Sequence, residues 1–197
     1  MNTSSYLVTL KNFLNTISPI SESTWQAVEP LFKPGELMRG AVYLEVGQVA
    51  RKIAFLSKGV MRGYARNVDG ATYNKHFFIA PCFIGGYSSM ITRQPNRIVQ
   101  DALTDCEFLE TDYSKLVALY DHHHDLERVA RRLAELFFVE KEQREVDLVM
   151  LHADERYEKF QQQYPGLEQL IPQYHIASYL GVTPTQLSRI RKRRAGH

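Results

Sequence analysis

The sequence predicts an α+β chain, with a β-rich middle segment set between a helical start and a long helical C-terminal region. Three observations carry this. From Lys33 to Thr111, short β-branched and aromatic runs alternate with turn signals about every ten residues. From Asp112 onward, apolar residues recur at three- and four-residue steps. Finally, the cations are concentrated at one end. Net charge is only +2, yet from Thr183 on there are five cations and no acid, which leaves 19 basic against 22 acidic residues elsewhere. A mildly acidic body with a cationic tip suits a polyanionic partner.

The elements follow in order. Tyr6, Leu10, Phe13, Leu14 and Ile17 define a first helix. A second runs from Glu22 to Phe32, with Ser21 as its N-cap. The middle segment contains KIAFLSKG, VMRGYARN and ATYNKHFFI, with turns at Pro34-Gly35, Gly47, Gly59, Asp69-Gly70 and Pro81. That spacing indicates an all-β sandwich or barrel. Val68-Asp69-Gly70-Ala71 is a hairpin signal.

Asp112 to Tyr120 forms a short helix, and a long one follows His122–His124 and reaches about Met150. Leu126, Val129, Leu133 and Phe137 step along its first half as a dimerisation seam of about two heptads, the alternative being a helix packed on its own domain. EKEQRE beyond it is solvated, and Val146, Val149 and Met150 restore an apolar face. A further helix spans His152 to Tyr164 and ends at Pro165-Gly166, and Leu167 to Pro172 is a connector. The expected organisation is a β-containing domain over 1–121, a dimerisation helix over 122–150 and a DNA-binding domain over 151–197.

The functional motif is QYHIASYLGVTPTQLSRIRKRRAGH. Ile176, Ala177 and Leu180 face inward from one helix, Gly181 permits a sharp turn, and Val182 fills the corner. Thr183 caps the next helix and Pro184 occupies its first position, where a missing N–H costs nothing. Leu187 and Ile190 face inward. Thr185, Gln186, Ser188 and Arg189 face outward, where Arg189 can pair with guanine and Gln186 with adenine. Lys192, Arg193 and Arg194 lie near phosphates, and Thr183 with the helix-start amides binds one more. This is the pattern of a helix-turn-helix reading double-stranded DNA.

The order of β-roll, long helix and C-terminal helix-turn-helix resembles the Crp/Fnr superfamily of bacterial transcription regulators. IASYLGVTPTQLSRIRK is similar to a short Bacteroidetes-type subgroup. LEVGQVARKIAFLSKGVMRGYARNVDGATYNKHFFIAPCFIGGYSSM is similar to the superfamily's cyclic-nucleotide-binding roll, a jelly roll of cupin-like form. The resemblance implies a homodimer on a near-palindromic operator, with contact to RNA polymerase. Cyclic-AMP-binding members carry a glycine–glutamate pair and then an arginine–serine pair. Here the first pair falls at Gly85-Gly86, so the glutamate is missing, and the second falls at Asn96-Arg97. Arg97 is one place off, and a one-residue slip turns a strand side chain to the other face. The sequence therefore argues against the usual mode of cyclic AMP binding. If another small-molecule effector binds, Gly85, Gly86, Tyr87, Ser88, Ser89 and Arg97 line its pocket. Only the Arg193–His197 tail follows the second helix, where many members continue into a wing.

Competing chemistries fit less well. Two cysteines, Cys82 and Cys106, fall short of an iron–sulfur ligand set and suit buried thiols in a reducing cytoplasm. His76, alone among apolar residues, suits a core position better than a haem ligand. His122, His123 and His124 point in different directions along a helix start, so no metal site is expected. No nucleophile–base set, membrane-spanning run or secretion signal is present, so a non-enzymatic cytoplasmic protein is expected. The competing reading is a small-molecule or cyclic-nucleotide sensor acting through protein partners, with a vestigial DNA-binding domain.

Overall fold

The computed structural model describes residues 3–68 and 70–195. Asp69 of the expected hairpin turn and Gly196-His197 of the tail lie outside them. The chain packs as two compact units. One holds the residues up to Gly63 with Phe77–Phe137, and the other holds Tyr64–His76 with the residues from Phe138 on.

The first unit begins with helices α1 (Thr3–Ile17) and α2 (Glu22–Val28). Ser21 caps α2, its hydroxyl accepting the Thr24 N–H at 3.2 Å. The α-helix is shorter than expected because Pro30 has no N–H to donate to a preceding carbonyl. Glu29–Leu31 tightens into a 3-10 turn instead.

Eight strands follow among the described residues: β1 (Lys33–Leu37), β2 (Val42–Leu44), β3 (Lys52–Lys58), β4 (Val60–Arg66), β5 (Thr72–Ile79), β6 (Cys82–Ile84), β7 (Val99–Ala102) and β8 (Cys106–Asp112). They form two four-stranded sheets, ordered β1-β8-β3-β6 and β2-β7-β4-β5. The pairings with recorded register are antiparallel, with Phe55 opposite Leu109 and Ala54 opposite both Glu110 and Ile84. The β3–β4 turn needs Gly59. Its φ is +100°, and a Cβ there would lie 2.5 Å from the Asp105 carbonyl oxygen.

Two short helices and the first half of a long one complete the first unit. Helix α3 (Tyr87–Thr92) interrupts a stretch the sequence assigns wholly to strands. Helix α4 (Tyr113–Val117) is capped by Asp112, and α5 (His124–Met150) begins here. Leu10, Leu14, Trp25, Val28, Phe55 and Leu109 form a core with Leu116, Leu126 and Val129. A second cluster unites Ala54, Leu56, Met61, Ile84, Ala102 and Phe108. Cys106 is buried, Cys82 half-buried, and neither forms a disulfide.

The second unit contains the distal ends of β4 and β5, the second half of α5, α6 (Ala153–Gln163), α7 (Leu167–Leu170), α8 (Gln173–Leu180) and α9 (Pro184–Ala195). Helix α7 replaces part of the expected connector, starting from Gly166 in the left-handed region. Its core is aromatic, with ring centroids of Phe160, Tyr164 and Tyr179 5.5–5.7 Å apart. No helix among the described residues is long and apolar enough to cross a membrane.

Candidate nucleic-acid interface

The C-terminal site is built on the turn between α8 and α9. Gly181 ends α8 at φ +70°, ψ 32°, with open space where a side chain would stand. Glycine is favoured by backbone conformation alone. The Val182 N–H donates to the Ala177 carbonyl at 3.0 Å, a six-to-one bond that closes the helix end.

Thr183 and Gln186 form a capping box. The Gln186 N–H donates to Thr183 Oγ1 at 3.2 Å, and the Thr183 N–H donates to Gln186 Oε1 at 2.8 Å. Leu187 and Ile190 are buried, which pins the opposite face outward. Thr183, Thr185, Gln186, Ser188, Arg189, Lys192 and Arg193 are all exposed.

Two arginines hold this pair of helices from behind. Arg144 Nη2 donates to the Tyr179 carbonyl at 2.7 Å and to the Tyr73 hydroxyl at 3.0 Å. Its guanidinium carbon lies 3.6 Å from the Tyr179 ring centroid. Arg156 donates to the Leu180 carbonyl at 3.1 Å and to the Leu151 carbonyl at 2.6 Å. Both satisfy helix-end carbonyls that have no partner within their helix. The β4–β5 arm adds Asn74, wholly buried, whose side-chain amide donates to the His175 carbonyl at 2.8 Å. The Asn74 N–H donates to Ser178 Oγ at 3.0 Å.

No protein-family model matches the sequence, and no curated protein does. Solved structures do. FixK2 from Bradyrhizobium japonicum aligns over 82% of this chain and 83% of its own, at 15% identity and a TM-score of 0.71. CLP, a c-di-GMP-responsive global regulator of Xanthomonas campestris, covers 89% and 92% at 16% identity and a TM-score of 0.65. A Crp/Fnr-family transcriptional regulator from Eubacterium rectale covers 87% and 82% at 11% identity and a TM-score of 0.69.

This chain has the Crp/Fnr fold.

Of the six residues expected to line an effector pocket, three are engaged within the chain. Gly86 is packed tightly, since a Cβ there would meet Leu44 at 2.7 Å and Ala50 at 2.9 Å. Ser89 is buried, accepting the Ala50 N–H and donating to the Gln94 carbonyl. Gly85 accepts from the Gln100 amide at 2.9 Å. Tyr87 and Ser88 are exposed, and Tyr87 stands edge-on to Tyr113. Asn96 is buried and Arg97 exposed, both in the loop before β7 and not on a strand, so the strand-slip argument does not apply to them. The arginine that does turn inward is one that sequence reasoning missed. Arg62 grips Asp101 through two bonds of 2.7 and 2.8 Å, both side chains 12% exposed. Only the pairing of β4 with β7 brings them together, and no local signal could have shown it.

The expected seam on α5 needs correction at Leu126 and Val129. Leu126 and Val129 are buried in their own core, and Leu133 packs against it. Phe137 is half-buried. A partner helix cannot use side chains that the fold already encloses. The exposed apolar residues of α5 are Leu136, Phe138, Val139, Val146, Val149 and Met150, and of these Leu136, Val139, Val146 and Met150 follow heptad spacing together with Gln143.

His76 lies in the second unit beside the Tyr164 ring, with Nδ1 3.4 Å from Glu140 Oε1. Burial, then the nearby Arg144, Lys141 and Lys75, lower its pKa to about 4, so the carboxylate faces a neutral imidazole. His123 Nδ1 meets Thr24 Oγ1 at 2.9 Å, and His124 Nδ1 lies 3.9 Å from Glu127. Among the described residues, no group of three His, Cys, Asp or Glu could hold a metal ion.

Proposed function

We propose that this protein is a homodimeric transcriptional regulator that reads DNA through α9. One observation carries the reading: a capped helix, held by buried Leu187 and Ile190, presents Thr185, Ser188, Arg189 and Lys192 to solvent along one face. Short polar groups and a long cation on the first turns of such a helix suit base edges in the major groove. Gln186 Oε1 is occupied by the cap, so its contribution to base reading is limited to its amide donors.

The dimer forms along α5 through Leu136, Val139, Val146 and Met150. It spaces two copies of α9 for half-sites about 34 Å apart on a near-palindrome. The roll does not take cyclic AMP in the superfamily's usual mode, because no glutamate follows Gly85 and the arginine is turned outward.

Selection from a random duplex library, followed by footprinting, tests the reading. A near-palindromic consensus is expected. Arg189→Ala should weaken binding to it by about ten- to a hundredfold and relax one base position in each half-site. Recovery of no consensus, with salt-insensitive or absent binding, would overturn the assignment.

A further inference from the structure

The basic end of α9 divides into two groups of cations. Arg189 and Lys192 make no ion pair among the described residues. The other three meet carboxylates from outside their helix. Arg193 Nη2 donates to Asp154 Oδ1 at 2.9 Å, Arg194 Nη1 donates to Glu158 Oε2 at 3.3 Å, and Arg191 Nε lies 3.8 Å from Glu168 Oε1. Asp154 and Glu158 are four residues apart on α6, hence on one helical face. Glu168 is held on both oxygens, by the Tyr157 hydroxyl at 2.7 Å and the Gln161 amide at 2.9 Å. Its cleft, about 690 Å³ and lined by Tyr157, Gln161, Gln173, Leu187 and Arg191, lies within the second unit.

We propose that Asp154, Glu158 and Glu168 are internal counter-ions that compete with DNA phosphates for these arginines and thereby set the preference for operator over random DNA. The proposal rests on the DNA-binding reading above. Exposed ion pairs of this kind are weak, so a phosphate can displace them. Displacement changes the ion balance, however. A cation that neutralises a phosphate ordinarily releases about 0.9 of a counter-ion from the duplex. An arginine that must first leave a carboxylate strands a negative charge, which recaptures a cation from solution. Net release falls, and affinity declines with salt less steeply than the number of arginines implies. Contacts made by Thr185, Ser188 and Arg189 are untouched. The penalty therefore falls chiefly on binding that depends on phosphates alone.

The test compares the full-length protein with its Asp154→Asn/Glu158→Gln variant, by fluorescence anisotropy on random-sequence and selected duplexes over about 50–300 mM KCl. Glu36→Gln/Asp121→Asn, two exposed acids in the other unit, controls for net charge. The random duplex should bind the α6 variant about three- to tenfold more tightly at low salt. The slope of log K against log salt should steepen by about 1 to 2, and operator preference should narrow. If the parent binds its operator and the variant's slope is unchanged, or the control matches its gain, the counter-ion proposal fails and the DNA reading stands. If the parent binds neither duplex, both fail.

Discussion

Replacing Arg144 tests how the recognition helices are held. Arg144→Met keeps the aliphatic stem and removes the guanidinium. Two charge-assisted bonds are lost, to the Tyr179 carbonyl at 2.7 Å and the Tyr73 hydroxyl at 3.0 Å, together with the stack over Tyr179. Bonds to charged groups contribute about 1.5–3 kcal/mol each, and a stack about 0.5–2 kcal/mol. Arg144 is half-buried, so water replaces part of this, and a net loss of about 2–4 kcal/mol is expected. Arg144→Lys retains the charge but not the planar fork, so it should recover less than half. Urea unfolding gives the free energy, and hydrogen exchange at α8 amides locates it. If both variants unfold within about 0.5 kcal/mol of the parent, the arginine is a surface group and the argument is refuted.

Four further outcomes follow from the same geometry. Gly181→Ala should cost about 1–2 kcal/mol from backbone conformation alone, and Gly181→Asn clearly less, because the space around the site is open; equal losses in thermal unfolding would contradict this. Val139→Asp with Val146→Asp should yield a monomer by light scattering. Leu126→Ala should lower stability by about 2–5 kcal/mol without changing assembly, and the reverse pattern would restore the first seam. His76 has a folded pKa near 4, below its unfolded value of about 6.5, so its contribution is full above 6.5 and is lost as pH falls toward 4. His76→Asn should flatten the decline in melting temperature between those values, and an undiminished slope would assign it to other groups.

Much of the architecture was legible because it rests on local chemistry. Pro184 after Thr183, Gly181 before them and the three-residue step from Leu187 to Ile190 specify a capped helix after a sharp turn, whatever lies elsewhere. Turn glycines announce the strands in the same way. Their partners were not legible. Strand order depends on pairings between segments far apart in the chain, such as Lys33 with Glu110, and side chains such as Arg62 and Asp101 meet only once β4 pairs with β7. Helix α3 was missed because six residues are too few to establish a periodicity.

The site shows a sharper limit. Residue type tells what a side chain can bind, but not what has already claimed it. Gln186 suits adenine and also suits the backbone three residues before it. Arg193 suits phosphate and also suits Asp154. Leu126 and Val129 suit a seam and also suit a core. In each case the free chain meets the nearer partner first, since that contact carries no cost of association. Arg189 and Lys192 on α9, which make no ion pair among the described residues, and the exposed Leu136-to-Met150 stripe on α5 are fewer groups than the sequence suggested. An intermolecular role is better argued from them, because folding has not already used their chemistry.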